Sequence, residues 1–293
     1  MKMILDDIKQ KFRLPDAYED WREYRQLLTD TVIECGNGDQ SKTIAIIGAG
    51  RCNDIDLKAL CRHFEIITLV DCDSDAMNEA VAKLTDDEAK RVEINSTSLT
   101  GINETDLNLY FESVLSAVRN QGYKLTYDSF EEIILSELKI LKDKLPTSYE
   151  ILIKELPKRD IVLCNGVFSQ LFSAISFFVR SVAGSIPDSL FTGAMQAADR
   201  LEQELKSMNN VVIPVICKAL IQSANDYVIF GNECLKTDPV EGAGQCIEAV
   251  RNSGRTVKEF ECLWDFNRRE KVTYNMLIQV VTGEGIFPFT LFT

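Results

Sequence analysis

Two glycines, Gly48 and Gly50, follow directly on the apolar run Ile44–Ile47, and an acid, Asp71, follows directly on the next apolar run, Ile66–Val70. Glycine at a strand end lets the backbone turn sharply and lets a ligand approach where a Cβ would otherwise stand. A carboxylate at the end of the neighbouring strand is placed to accept hydrogen bonds from the hydroxyls of a ribose. With the amphipathic segment Ile55–Phe64 between the two runs, the order is strand, glycine turn, helix, strand, acid: the pattern of a nucleotide-type βαβ unit. Asn53 and Asp54 stand beside the glycines. An acid there repels a pyrophosphate and tolerates a cationic ligand group; it is equally suited to capping the helix. Gly48-Ala49-Gly50-Arg51-Cys52-Asn53 half-matches GxGxxG, with Asn53 at the third glycine, so a dinucleotide stays open as the ligand.

A second polar cluster, Asn165, Gly166, Ser169 and Gln170, interrupts the weakly polar stretch 162–179. Asn165 and Gln170 are candidates to orient a second ligand, and Gln170 would equally satisfy backbone groups at a helix start. Glu233, just past the strand expected at Tyr227–Gly231, is either a general base or a solvated loop carboxylate. Asp73 and Asp75 read as caps of the helix that follows Asp71. His63 is the only histidine and sits near a helix C-terminus, where a cation is favoured. The absence of any other removes histidine-centred triads and histidine-ligated metals.

Five strands and several helices must position these residues. Residues 1–40 are predicted helical, broken at Leu14-Pro15-Asp16, with Tyr18, Trp21, Tyr24, Leu27 and Leu28 forming a stripe that is either core packing or a lid over the cleft. A short third strand is expected at Arg91–Ile94, running into the loop Asn95–Ser98. Residues 102–150 carry two apolar stripes, Leu107 to Val118 and Ile134 to Leu145, and are read as a helical insertion. Asp160–Leu163 is the fourth strand and Tyr227–Gly231 the fifth. Val257–Phe266 and Val272–Val281, joined by a polar turn, form a terminal hairpin. The apolar tail from Ile286 to Thr293 is expected to pack down.

The formal net charge is -13, which argues against a nucleic-acid partner, since a phosphate backbone is bound through a basic surface. Nine cysteines, an odd number without CxxC spacing, read as reduced thiols of a cytoplasmic protein, with no metal site expected. The stretch 162–179 is about long enough to span a bilayer, but its polar cluster fits a buried strand, a loop and a helix start, and no membrane partner is expected.

Strands alternating with helices before a terminal hairpin resemble the class I S-adenosylmethionine-dependent methyltransferases. The resemblance covers about residues 43–281 and implies an α/β, doubly wound, mostly parallel seven-stranded sheet with a C-terminal antiparallel hairpin, plus N-terminal helices and a helical insertion. It implies an N-terminal cap at 1–40 and a Rossmann-like domain at 41–293 with the insertion at about 102–150. The family's glycine motif, lying beneath the methionine and ribose of the cofactor, is matched by Gly48, Ala49 and Gly50. Its ribose-holding acid is matched by Asp71, with Cys72 against the adenine edge and Ser96 and Thr97 in the loop near the adenine amino group. Its motif after the fourth strand, lining the cleft where the methyl group leaves, is matched by Asn165, Gly166 and Val167. Many members carry an acid where this chain has Ile46; Asp54, assisted by Asn53, is the substitute expected to face the cofactor amino group. The prolines of the exocyclic-amine methylases are missing after Asn165, which disfavours base or amide methylation on that template. The resemblance thus implies methyl transfer from S-adenosylmethionine to a small-molecule acceptor, with an NAD(P)-dependent oxidoreductase or a non-catalytic cofactor-binding module as alternatives; a homodimer is left open.

Overall fold

Short runs rich in isoleucine, valine and leucine, buried on both faces, are the signature of parallel strands covered by helices on each side, and the chain folds accordingly. The structure, a computed structural model, describes residues 4–187, 189–190, 192–235 and 238–283; the tail from Ile286 lies outside them. The strands are β1 (Thr43–Ile47), β2 (Ile66–Val70), β3 (Val92–Asn95), β4 (Arg159–Asn165), β5 (Ala224–Leu235), β6 (Asp238–Pro239), β7 (Val257–Asn267) and β8 (Val272–Thr282). Their order in the sheet is β3-β2-β1-β4-β5-β8-β7, with the two-residue β6 paired to β5. β1 to β5 run parallel, and β8 enters antiparallel between β5 and β7. This is the mostly parallel sheet with a terminal antiparallel hairpin that the sequence implied.

The chain divides into two compact units. One comprises Leu14–Ser98, Thr147–Ser169 and Ile213–Thr293 and contains the whole sheet. Its core joins Ile44, Ile67, Leu69, Leu163 and Ile229 of the sheet to Leu28 and Val32 of the helix Arg22–Gly36. The other comprises Met1–Arg13, Leu99–Pro146 and Gln170–Val212 and is helical. The two stripes of the insertion form the helices Glu104–Gln121 and Tyr127–Lys142, each opened by a capping box. Phe111, Phe130 and Ile134 are fully buried there, and the Phe111 and Phe178 rings lie 4.4 Å apart.

Two boundaries differ from expectation. The helix after the glycine turn spans Leu57–His63 rather than Ile55–Phe64, because Asp56 caps it by accepting from Ala59 N at 3.0 Å. β5 runs to Leu235 rather than stopping at Gly231, because β8 continues the ladder alongside it through the pairs Asn232↔Leu277, Glu233↔Met276 and Cys234↔Asn275. Glu233 is therefore a strand residue, 5% exposed, and not the loop carboxylate of the sequence reading.

Among the described residues no helix is long and apolar enough to cross a membrane.

Candidate functional site at the β1/β4 switch point

The strand order reverses between β1 and β4, which pair in register from Ile44↔Ile161 to Ile47↔Cys164. In open α/β sheets the helices on either side of such a reversal diverge, and ligands bind at the carboxyl ends of those strands. Those ends carry Gly48 to Asp54 on one side and Asn165 to Ser169 on the other.

The glycine turn is fixed by two backbone donors on one acceptor: Gly48 N and Ala49 N both reach Val70 O, at 2.8 and 3.2 Å. Gly48 has φ +69°, and a Cβ there would fall 2.3 Å from Val167 Cγ2, so glycine lets Val167 close onto the turn. Gly50 is the opposite case: at φ +46° a Cβ would meet nothing within 4 Å, leaving the backbone open to approach. Gly50 N donates to Asp71 Oδ2 at 2.9 Å, and Asp73 N donates to Asp71 Oδ1 at 2.8 Å. A carboxylate offers about four acceptor positions, so Asp71 is aimed by the backbone with capacity left over for a ligand. Asp73 is a cap, accepting from Ala76 N at 3.1 Å.

Cys72 is exposed at the same strand end. In the loop after β3, Thr97 N donates to Asn95 O at 3.0 Å, Thr97 Oγ1 donates to Asn95 Oδ1 at 2.5 Å, and Ser96 is exposed. Asp71 N also donates to Asn95 O, at 3.2 Å, which ties this loop to the acid.

Asp54 does not cap the helix; Asp56 does. The Asp54 side chain instead accepts from Asn165 Nδ2 at 2.6 Å, and Asn165 Oδ1 accepts from the Tyr24 hydroxyl at 2.5 Å. Asn165 thus bridges the two strand ends. It has room because residue 231, its partner on β5, is glycine: a Cβ there would lie 1.9 Å from Asn165 Oδ1. Burial pushes the Asp54 carboxyl above its ordinary range, opposed by the Asn165 bond and the Arg25 charge. Arg25 NH1 itself donates to the carbonyls of Asn53 (2.9 Å) and Tyr18 (2.6 Å), holding the Asn53 segment against the helix Arg22–Gly36.

Glu233 faces the same cluster. Its Oε1 accepts from Ser169 Oγ at 2.9 Å, while its Oε2 is buried and finds no partner among the described residues. Burial raises its carboxyl, and the Asp54 charge adds to the shift. Gly166, at φ +64°, stands over it: a Cβ would lie 3.2 Å from Glu233 Oε1 and 3.6 Å from Trp264 Cη2. Trp264 stacks on Tyr24 at 5.0 Å and meets Trp21 edge-on at 4.8 Å, and Trp21 Nε1 donates to Phe266 O at 2.9 Å. The stripe Trp21 and Tyr24 is therefore wall for this cluster, whereas Tyr18 is 46% exposed under the Arg25 guanidinium. Gln170 belongs to the helical unit, where its carbonyl accepts from Ser173 N at 3.1 Å and Ser173 Oγ at 2.9 Å.

Tyr24, Ser169 and Trp264 were not singled out as site residues by sequence. The stripe that holds Tyr24 has the spacing of any packed helix, and nothing local tells that one phenol meets Asn165. No group of three or more histidine, cysteine or acidic side chains able to hold a metal occurs among the described residues.

No family model matches the chain, and no curated protein matches it. Solved structures similar to it include the magnesium protoporphyrin IX methyltransferase of Synechocystis PCC 6803 with bound SAM, at 12% identity and TM-score 0.44, over 92% of this chain and 85% of that one. The N-methyltransferase NodS of Bradyrhizobium japonicum WM9 in complex with S-adenosyl-l-homocysteine is similar at 11% identity and TM-score 0.44, over 95% and 97% of the two chains. A third is the precorrin-6y C5,15-methyltransferase of Geobacter metallireducens GS-15, at 9% identity and TM-score 0.40, over 88% and 89%. Likeness at this level identifies neither an activity nor an acceptor.

Proposed function

We propose that this chain binds S-adenosylmethionine at the β1/β4 switch point and transfers its methyl group to a small-molecule acceptor. The observation that carries the reading is the pair of carboxylates on either side of the open turn at Gly50. Asp71, aimed by two backbone donors, retains acceptor capacity for vicinal hydroxyls. Asp54, oriented by Asn165, offers a carboxylate to an ammonium group. These are two of the polar groups of the cofactor, its ribose hydroxyls and its methionine ammonium, and Gly50 leaves the backbone between the two acids uncovered. When bound, S-adenosylmethionine supplies a methyl carbon already activated on a positively charged sulfur. The protein's own task is then to align the acceptor and exclude water, which needs neither a metal nor a triad.

An NAD(P)-dependent oxidoreductase fits less well. A pyrophosphate sits at the N-terminus of the helix behind the glycine turn, and here that helix begins late, at Leu57, behind the carboxylate of Asp56 with Asp54 close by in sequence. Two acids in that place oppose a doubly anionic group.

Thermal shift with S-adenosylmethionine, S-adenosylhomocysteine and NADH in parallel tests the reading. The first two at 100 times their Kd are expected to stabilise the chain by about 2.7 kcal/mol, and Asp71→Ala to abolish the shift. Stabilisation by NADH alone sinks the proposal. Binding of the methyl donor with no methylated product in a metabolite screen converts it to the non-catalytic module.

A further inference from the structure

Glu233 is a buried acid with no cation paired to it among the described residues. Its carboxyl lies in the sheet interior, where its own backbone N–H and the Ser169 hydroxyl donate to it, and Oε2 has no partner among the described residues. No lysine or arginine forms an ion pair with it there. A native fold rarely leaves such a group so; it marks strain, chemistry or a ligand. Burying a carboxylate is costly unless it is both paired and hydrogen-bonded. Asp54, by contrast, already has the Asn165 amide.

The surroundings select the missing partner. Trp264 presents the edge of its six-membered ring within reach of the same point beside Gly166 that Glu233 Oε1 faces. Tyr24 stacks on that indole, and Tyr274 stands 6.3 Å from it, so the acid is set among aromatic rings. A carboxylate without a counter-charge, walled by apolar rings that keep water away, is an environment that favours a compact organic cation with N–H donors. A metal ion is a poor fit, because no group of three or more ligating side chains occurs among the described residues. Gly166 leaves Oε1 uncrowded: a Cβ there would lie 3.2 Å from it.

We propose that Glu233 is the acceptor-binding residue and that the acceptor is an aliphatic amine, held as its ammonium ion against the Glu233 carboxylate. This rests on the methyl-transfer reading and specifies its substrate class. An ammonium nitrogen has no lone pair to give. On Oε2, Glu233 takes one of its protons: the N–H bond breaks, its electron pair stays on nitrogen, and the carboxylate becomes a carboxylic acid. The free amine that results is the nucleophile the reaction requires. The two acids thereby divide the work, Asp54 toward the ammonium of the methyl donor and Glu233 toward that of the acceptor.

The test is calorimetric titration of the full chain, saturated with S-adenosylhomocysteine, with matched amine and alcohol probes: benzylamine, phenethylamine and ethanolamine against benzyl alcohol, phenethyl alcohol and ethylene glycol. At least one amine is expected to bind while its alcohol partner does not. Glu233→Gln, which keeps the shape and removes the charge, is expected to weaken that amine by about tenfold to a hundredfold, with S-adenosylhomocysteine held within about twofold. That retained binding also reports an intact fold, and the wild-type comparison of amine with alcohol stands without any variant. If S-adenosylhomocysteine binds but no amine does, or alcohols bind as well as amines, or Glu233→Gln leaves amine binding unchanged, the proposal is overturned and the methyl-donor reading survives. If S-adenosylhomocysteine does not bind the wild type, the methyl-donor reading falls and this one with it.

Discussion

Asp54, Glu233 and Tyr24 are three acids raised above their ordinary values by burial; the Asp54 charge adds to the shift of the other two, and the Glu233 charge to that of Tyr24. Asn165 opposes the shift for Asp54 and Tyr24, and for Glu233 its own backbone N–H and then Ser169 oppose it. The sign of the consequence is fixed. An acid whose folded pKa exceeds its unfolded value contributes stability that is fully present below the unfolded pKa and lost as pH rises through the folded one. The ligand-free chain should therefore lose thermal stability as pH climbs out of the ordinary carboxylate range, and Glu233→Gln should flatten that decline. Melting profiles of wild type and variant across pH 4 to about pH 8 check it; parallel profiles would mean that the charge on Glu233 is not what the fold resists. The same burial explains why Glu233 is misjudged from sequence. An acid next to Asn232, one residue beyond an apolar run, has the look of a loop, and only the neighbouring strand makes it interior.

That neighbour is β8. By pairing with β5 from Tyr227↔Thr282 to Cys234↔Asn275 it carries the ladder past Gly231 and takes Glu233 into the sheet. Its hairpin partner β7 brings Trp264 and Phe266, onto which Trp21 and Tyr24 pack. Gly231 is the narrowest point of this arrangement, since Asn165 occupies the space a Cβ would need. Gly231→Ala should cost about 1–3 kcal/mol as an overpacked core site and should displace Asn165, weakening S-adenosylhomocysteine along with stability. Urea unfolding and calorimetry on the same variant separate the two effects. Unchanged stability would show that Asn165 has somewhere else to go.

At the scale of the whole chain, the acidic balance of -13 bears on partners rather than on fold. Its basic run after Asn267 is engaged locally: Arg269 pairs with Asp16 at 2.5 Å and Arg268 Nε lies 3.5 Å from Asp265 Oδ2. A net charge of that sign opposes a phosphate backbone, so fluorescence anisotropy of a labelled DNA duplex should not change on adding the protein, even at low salt where such binding is strongest. A salt-sensitive rise would overturn this.

The sequence by itself determined the sheet in outline, because strand identity is largely local: short apolar runs punctuated by glycine and acid, alternating with amphipathic segments, read as buried strands. It also determined where Gly48, Gly50 and Asp71 must stand, since a tight turn and a strand end fix them within one βαβ unit. Only the tertiary structure decided which polar side chains meet. Tyr24, Asp54, Asn165 and Glu233 lie far apart in the chain and converge through strand order, pairing register and the absence of a Cβ at Gly231. None of these contacts leaves a local signature, because each is set by the partner across the sheet and not by the residues on either side.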